Sequence, residues 1–314
     1  MDGAFTLTRD ESAALTRRIT SLSVAVASIL TVLKALVWFA SDSVSILASL
    51  ADSGLDLVAA LGTFFAVRYA AAPPDAEHRY GHGKAEAFAS LVQAGLVFAS
   101  GALIGQAAID HLLHPTPIAQ SGWALGVMAI STLLTAGLIA AQTQVLRKTR
   151  SVAVTGDRAH YVADLASNIM ALIAIAAATL FSFNGFDALG GLAVAAVLLW
   201  GAISVFRQAS NELMDHELPD EARARIIALM TQDPRLTDVH QLRTRASGPT
   251  IHIQMHADLD PTLSLEVAHE VVVAAERRVL VAFPAADIII HPDPRGRAEP
   301  HGGTFAEAHA PAAR

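Results

Sequence analysis

VSILASLADSGLDLVAALGTFFAV, residues 44–67, is long and apolar enough to cross a bilayer, yet it carries Asp52 and Asp56 within it. A span needs about 20 mostly apolar residues. A bare carboxylate inside one is costly enough that its default reading is functional. The two acids are spaced i, i+4, which puts them on one face of a helix. A second apolar stretch, 152–181, carries His160 and Asp164 at the same spacing in its first half. Three carboxylates and one imidazole, offered by two helices, make four ligands for one divalent metal. The pattern points to a membrane metal transporter.

Composition supports a membrane protein. Of 314 residues, 53% are hydrophobic and only 16% charged, and the mean hydropathy is +0.43, which sets the chain apart from soluble enzymes. The net charge of −7 arises mostly in the C-terminal third, which argues against nucleic acid as a partner. There is no cysteine, so disulfides, thiolate metal sites and cysteine nucleophiles are excluded. The N-terminal MDGAFTLTRDESAALTRR is polar and lacks a signal-peptide pattern, so the first apolar span is the expected insertion signal.

Six stretches are long and apolar enough to span: 21–40, 44–67, 87–109, 122–146, 152–181 and 188–206. With the N-terminus inside, the cytoplasmic segments carry Arg9, Arg17, Arg18, Arg68, Arg79, Lys84, Arg147, Lys148 and Arg150, and Arg158 snorkels to the same surface. The outer segments 41–43, 110–121 and 182–187 hold no Arg or Lys. This asymmetry places both termini in the cytoplasm. It also fixes depth. At 1.5 Å per residue, Asp52 lies about 12 Å and Asp56 about 18 Å from the outer face, while His160 lies about 12 Å and Asp164 about 18 Å from the inner one. In a core about 30 Å thick, Asp56 is level with His160 and Asp52 with Asp164, near the midplane where transporters hold substrate. Lys34 is the one basic residue deep in a span; it snorkels or pairs with an acid, and that plain structural role is favoured over a functional one.

A tetrahedral set of three oxygens and one nitrogen suits Zn2+. Magnesium and calcium prefer all-oxygen shells, whereas manganese, iron(II), cobalt, nickel and cadmium stay open. Crowded carboxylates in a poorly hydrated place take up protons, and a divalent cation expels them. Joined to alternating access, that competition gives metal/proton antiport, and the proton gradient drives export from the cytoplasm.

Between the second and third spans, Asp75, His78 and His82 form an Asp-x2-His-x3-His cluster, open to two readings: a surface metal site or a solvated loop. Lys84 beside it is placed to meet an acid at the membrane surface. The chain divides into a polar segment 1–20, a transmembrane domain 21–210, a soluble domain 211–294 and a Gly/Ala/Pro-rich tail 295–314 expected to be disordered. The soluble domain reads as helix 221–231, strands 239–244 and 250–259, helix 264–283 and strand 287–291, an αββαβ order that makes a small α+β sandwich. Its His240, His252, His256, His269 and His291, with Asp293, are either ordinary surface residues or a second metal cluster.

The strings SVSILASLADSGLDLVA, HRYGHGKAEAFASL, HYVAD, LPDEAR, HQLRTRASGPT and DIIIHPDP, in that order, resemble the cation diffusion facilitator family, and within it the bacterial zinc and ferrous-iron efflux type. The resemblance covers most of the chain. It implies a homodimer of six-helix subunits embedded in the lipid of the bacterial inner membrane, each with a cytoplasmic ferredoxin-like domain. It implies a transport site at Asp52, Asp56, His160 and Asp164, of a composition the family associates with zinc and cadmium. It further implies a loop site at Asp75, His78 and His82 and a binuclear cytoplasmic site at His240, His256, His269, His291 and Asp293 that ties the subunits together and senses metal. A charge interlock falls on Lys84 and Asp215. His252 is not an expected ligand, and the short 147–151 connection lacks the His-rich insertion of many eukaryotic relatives.

Three rivals remain at this level. An iron(II) or manganese exporter would use the same mechanism. A membrane metal sensor without flux would suit the cytoplasmic histidines but not a matched midplane site. An intramembrane aspartyl protease would need its two acids opposed, whereas both lie on one helix, and no HExxH motif occurs.

Overall fold

The structure is a computed structural model that describes residues 6–41, 44–113, 122–181 and 185–296. Six long helices come first: α1 (Arg9–Ser41), α2 (Val44–Ala70), α3 (Ala85–Leu113), α4 (Gly122–Thr149), α5 (Val152–Phe181) and α6 (Gly185–Leu213). Among the described residues, α1, α2, α3, α4 and α6 each hold a stretch long and apolar enough to cross a membrane. α5 has 30 residues, but many side chains of its second half lie outside the described ones. The expected tail lies almost wholly outside them, as do most of the outer loops.

The helices run past the expected spans where polar residues favour it. α1 begins twelve residues earlier because Thr8 and Glu11 form a capping box: the Thr8 N–H donates to Glu11 Oε2 at 2.9 Å, and the Glu11 N–H to Thr8 Oγ1 at 3.3 Å. α2, α4 and α6 extend through Arg68, Arg147, Lys148 and Arg207, good helix formers whose charges reach the surface on long stems.

α5 is the central helix. Its Val154 and Tyr161 pack with Ile19, Val26 and Leu30 of α1 and Leu138 of α4. Its Ala163 packs with Val97 of α3 and Val194, Leu198 and Ala202 of α6. Gly156 permits the close approach to α3: a Cβ there would lie 3.2 Å from Ser90 Cα. Small residues at such crossings are how membrane helices gain packing when lipid offers no hydrophobic drive. Large apolar side chains such as Leu36, Phe39, Leu133 and Trp200 face outward and are exposed.

The C-terminal part comprises α7 (Asp220–Met230), β1 (Leu236–Ser247), β2 (Thr250–Leu259), α8 (Leu265–Ala282) and β3 (Ala286–Pro294). This is the expected αββαβ order, with β1 longer at both ends than the alternation suggested. The sheet runs β1-β2-β3, with β1 antiparallel and β3 parallel to β2, so α8 is the crossover that a parallel pair requires. One face of β2, Ile251, Ile253, Met255, Ala257 and Leu259, meets Ile226 and Met230 of α7 and Val271, Ala275 and Val279 of α8 in a closed core. Strand alternation therefore turns His252, Gln254, His256 and Asp258 to the face that α7 and α8 leave uncovered.

Candidate metal centres

α2 and α5 bring three of the four expected midplane ligands together. His160 Nε2 lies 2.9 Å from Asp56 Oδ1 and 3.8 Å from Asp164 Oδ2. One ligand atom from each of Asp56, His160 and Asp164 falls within 4.8 Å of the others. Asp52, one turn back along α2, is not in that group but lines the same cavity of about 350 Å³ with Asp56 and Asp164. His160 is buried, and among the described residues its Nδ1 has no hydrogen-bond partner. The i, i+4 spacing on each helix accounts for the geometry, because it stacks both members of a pair on the face turned to the other helix.

Two further polar groups border this centre. Lys34 of α1 lines the cavity, donating from Nζ to Ser53 Oγ at 2.5 Å and to the Ser49 carbonyl at 3.2 Å. Asp157, three residues before His160, is buried among α1, α4 and α5; its Oδ2 accepts from Ser23 Oγ at 2.7 Å and Gln142 Nε2 at 2.8 Å. Asp157 is not among the expected ligands. The rule that flagged Asp52 and Asp56, an acid inside an apolar helix, would have found it.

In the inner loop, Asp75 is the hub. Its Oδ2 lies 3.1 Å from His82 Nε2 and its Oδ1 3.3 Å from His78 Nδ1. The backbone N–H of His78 donates to Asp75 Oδ1 at 2.6 Å, and this bond, with help from the Glu77 N–H at 2.9 Å, holds the carboxyl below its usual range. A carboxyl so held stays ionised, which a metal ligand must be. Asp75, His78 and His82 form a second group within 4.8 Å.

The third group lies on the uncovered sheet face. Register puts His240 opposite His256, and His256 opposite His291, so three histidines form one row across three strands. Asp293, buried, serves them all: its Oδ2 is 2.7 Å from His256 Nδ1 and 3.5 Å from His240 Nε2, and its Oδ1 is 3.4 Å from His291 Nε2. His240, His256 and Asp293 fall within 4.8 Å of one another. Asp258, not among the expected ligands, lies 3.3 Å from His240 Nε2. His269 does not join the row within one chain; it is an exposed residue of α8, and α8 packs on the opposite face of the sheet. His252 is no surface residue: it is buried, with Nδ1 3.2 Å from Asp287 Oδ2.

The loop and the sheet domain meet at a charged junction. Lys84 Nζ lies 3.0 Å from Asp215 Oδ1, and Arg245 Nη1 lies 3.2 Å from Asp215 Oδ2. Partial burial pushes the Asp215 carboxyl up, but the Lys84 hydrogen bond and the Arg245 charge outweigh it and leave the group below its usual range. Gly83 is required here, since a Cβ would stand 2.1 Å from the Ser247 carbonyl oxygen.

Comparison with known proteins agrees over both parts. The cation efflux transmembrane domain family matches residues 21–214, and the cation efflux protein cytoplasmic domain family matches residues 218–295. The chain is 40% identical over 268 residues to the cation-efflux pump FieF of Yersinia enterocolitica, covering 85% of this chain and 89% of that protein. It is 39% identical over 280 residues to the FieF pump of Salmonella paratyphi A, covering 89% and 93%. A solved zinc form of CzrB aligns with 27% of this chain and 99% of its own, at 32% identity and a TM-score of 0.26.

Proposed function

The chain belongs to the cation efflux family, which makes it an integral membrane transporter of cations and not an enzyme, and we propose that it exports zinc, and cadmium with it, in exchange for protons. The observation that carries this reading is the Asp56, His160 and Asp164 group between α2 and α5, with Asp52 in the same cavity. One imidazole nitrogen among three carboxylates favours Zn2+ or Cd2+ over Mg2+ and Ca2+. The FieF relatives are cation-efflux pumps.

Metal and protons compete for the same atoms. Metal binding needs ionised carboxylates and a neutral imidazole, so cargo enters by displacing protons and leaves where protons return. Alternating access around a fixed midplane site turns that competition into antiport. The Arg and Lys asymmetry supports cytoplasmic termini in a bacterial inner membrane. The cytoplasmic domain, whose counterpart in the family is the dimerisation domain, supports a homodimer. In it, His240, His256, His291 and Asp293 would hold regulatory zinc, with Asp75, His78 and His82 as a loop site and Lys84–Asp215 as the interlock between them.

The test is metal uptake into proteoliposomes with an imposed pH gradient, comparing zinc, cadmium, iron(II) and manganese. Zinc and cadmium flux that requires the gradient is expected. Flux of iron(II) or manganese alone would keep the mechanism and replace the cargo; flux indifferent to the gradient would end the antiport reading.

A further inference from the structure

The transport cavity contains a cation of its own. Among the described residues that line it, the charged ones are Lys34, Asp52, Asp56 and Asp164. Lys34 comes from α1, yet its ammonium is held by α2: Nζ donates to the Ser49 carbonyl at 3.2 Å and to Ser53 Oγ at 2.5 Å. Ser53 follows Asp52 directly and is buried, so the helix that bears two of the carboxylates also fixes the lysine beside them. A snorkelling lysine would carry its charge to the bilayer surface. This one delivers it to the wall of the site.

We propose that Lys34 is the fixed counter-charge of the transport site, making the metal-loaded site electrically neutral so that it can be closed off and reopened within the membrane. The charges close. A divalent ion brings two positive charges, a ligating histidine is neutral, and Asp52, Asp56 and Asp164 supply three negative charges. Among the charged residues that line the cavity, Lys34 provides the one positive charge still missing; Asp157 is outside this lining, its Oδ2 held by Ser23 and Gln142. Without it, the loaded site carries a net negative charge in a medium of low dielectric, where an uncompensated charge is strongly disfavoured. The lysine also repels the arriving metal. It therefore weakens binding somewhat while speeding the step in which the loaded site changes sides. It is a positioning residue for charge, not a ligand, and the assignment rests on the transport reading above.

The test measures initial zinc flux against zinc concentration in proteoliposomes, for the full-length wild type, Lys34→Gln, Lys34→Arg and the double variant Lys34→Gln/Asp52→Asn. Lys34→Gln is expected to lower the maximal rate at least ten-fold while KM falls or holds. Lys34→Arg should restore most of the rate. In the double variant, two carboxylates balance the metal without the lysine, so the maximal rate should recover above that of Lys34→Gln while KM rises. A residue that merely packs α1 against α2 would instead raise KM or abolish binding, and Asp52→Asn would not rescue it. An unchanged maximal rate in Lys34→Gln, a loss seen only in KM, or a double variant no faster than the single one would overturn the proposal. Absence of zinc flux in the wild type would overturn the transport reading itself and is told apart by that control.

Discussion

Asp56 is the residue through which α2 and α5 meet, its Oδ1 2.9 Å from His160 Nε2. Its side chain is short and borders a cavity, so its loss removes a ligand and little packing. Asp56→Ala is accordingly expected to reduce zinc flux to the background of protein-free liposomes, with the elution profile of the detergent-solubilised protein unchanged. His160 is the one nitrogen of the set, and nitrogen is what separates the borderline metals from those content with oxygen alone. His160→Asp should shift flux from zinc and cadmium toward manganese, read as the ratio of initial rates in paired uptake assays. An unchanged ratio would mean that cavity shape rather than ligand chemistry selects the cargo.

At the scale of the element, β2 shows what one strand can do twice. Its odd-numbered residues, Ile251 to Leu259, close the core under α7 and α8, and its even-numbered ones share the face that carries the histidine row. Ile253 is fully buried in that core. Ile253→Ala should destabilise the cytoplasmic domain by about 2–5 kcal/mol through the lost contacts and the cavity left behind. The check is a lower midpoint in denaturant for the sheet-domain signal. The same strand marks what a sequence can tell. Alternation exposed which face of β2 is apolar, and i, i+4 spacing exposed the pairs on α2 and α5, because both are local periodicities. The histidine row depends on strand register, including the irregularity between His240 and Arg243, and no local pattern encodes it. For that reason neither the separation of His269 from the row within one chain nor the place of Asp258 beside His240 is legible in the sequence. The length of α1 is hidden from hydropathy for a different reason: hydropathy reports where lipid begins, whereas the Thr8–Glu11 capping box sets where the helix begins.

At the scale of the whole molecule, the inner loop joins the membrane helices to the sheet domain through contacts that tolerate little change. Tyr80 of the loop sits edge-on to His252, with ring centroids 5.7 Å apart, and under the Arg245 guanidinium at 5.0 Å. Arg245 and His252 are paired across β1 and β2, and Arg245 also reaches Asp215, the partner of Lys84. His252 is thus caught between a membrane-proximal loop and the sheet, and protonating it is awkward. Burial, then the Arg245 charge, push its pKa below the ordinary 6.5, and the nearby Asp287 only partly opposes them. The unfolded chain therefore binds a proton here that the folded chain refuses. The stability contributed by a neutral His252 is complete above pH 6.5 and is lost as pH falls toward the lower folded value. With metal chelated throughout, the wild-type melting temperature should fall more steeply between pH 6.5 and 5.5 than that of His252→Gln, which has nothing to protonate at this position. The metal-site histidines are common to both proteins and cancel in the comparison. Protease cleavage within the inner loop should rise over the same interval in the wild type, because the junction loosens when Tyr80 and Arg245 face an imidazolium. Parallel slopes for the two proteins would show that the junction is held by Lys84, Asp215 and the close approach at Gly83, with His252 a passive filler.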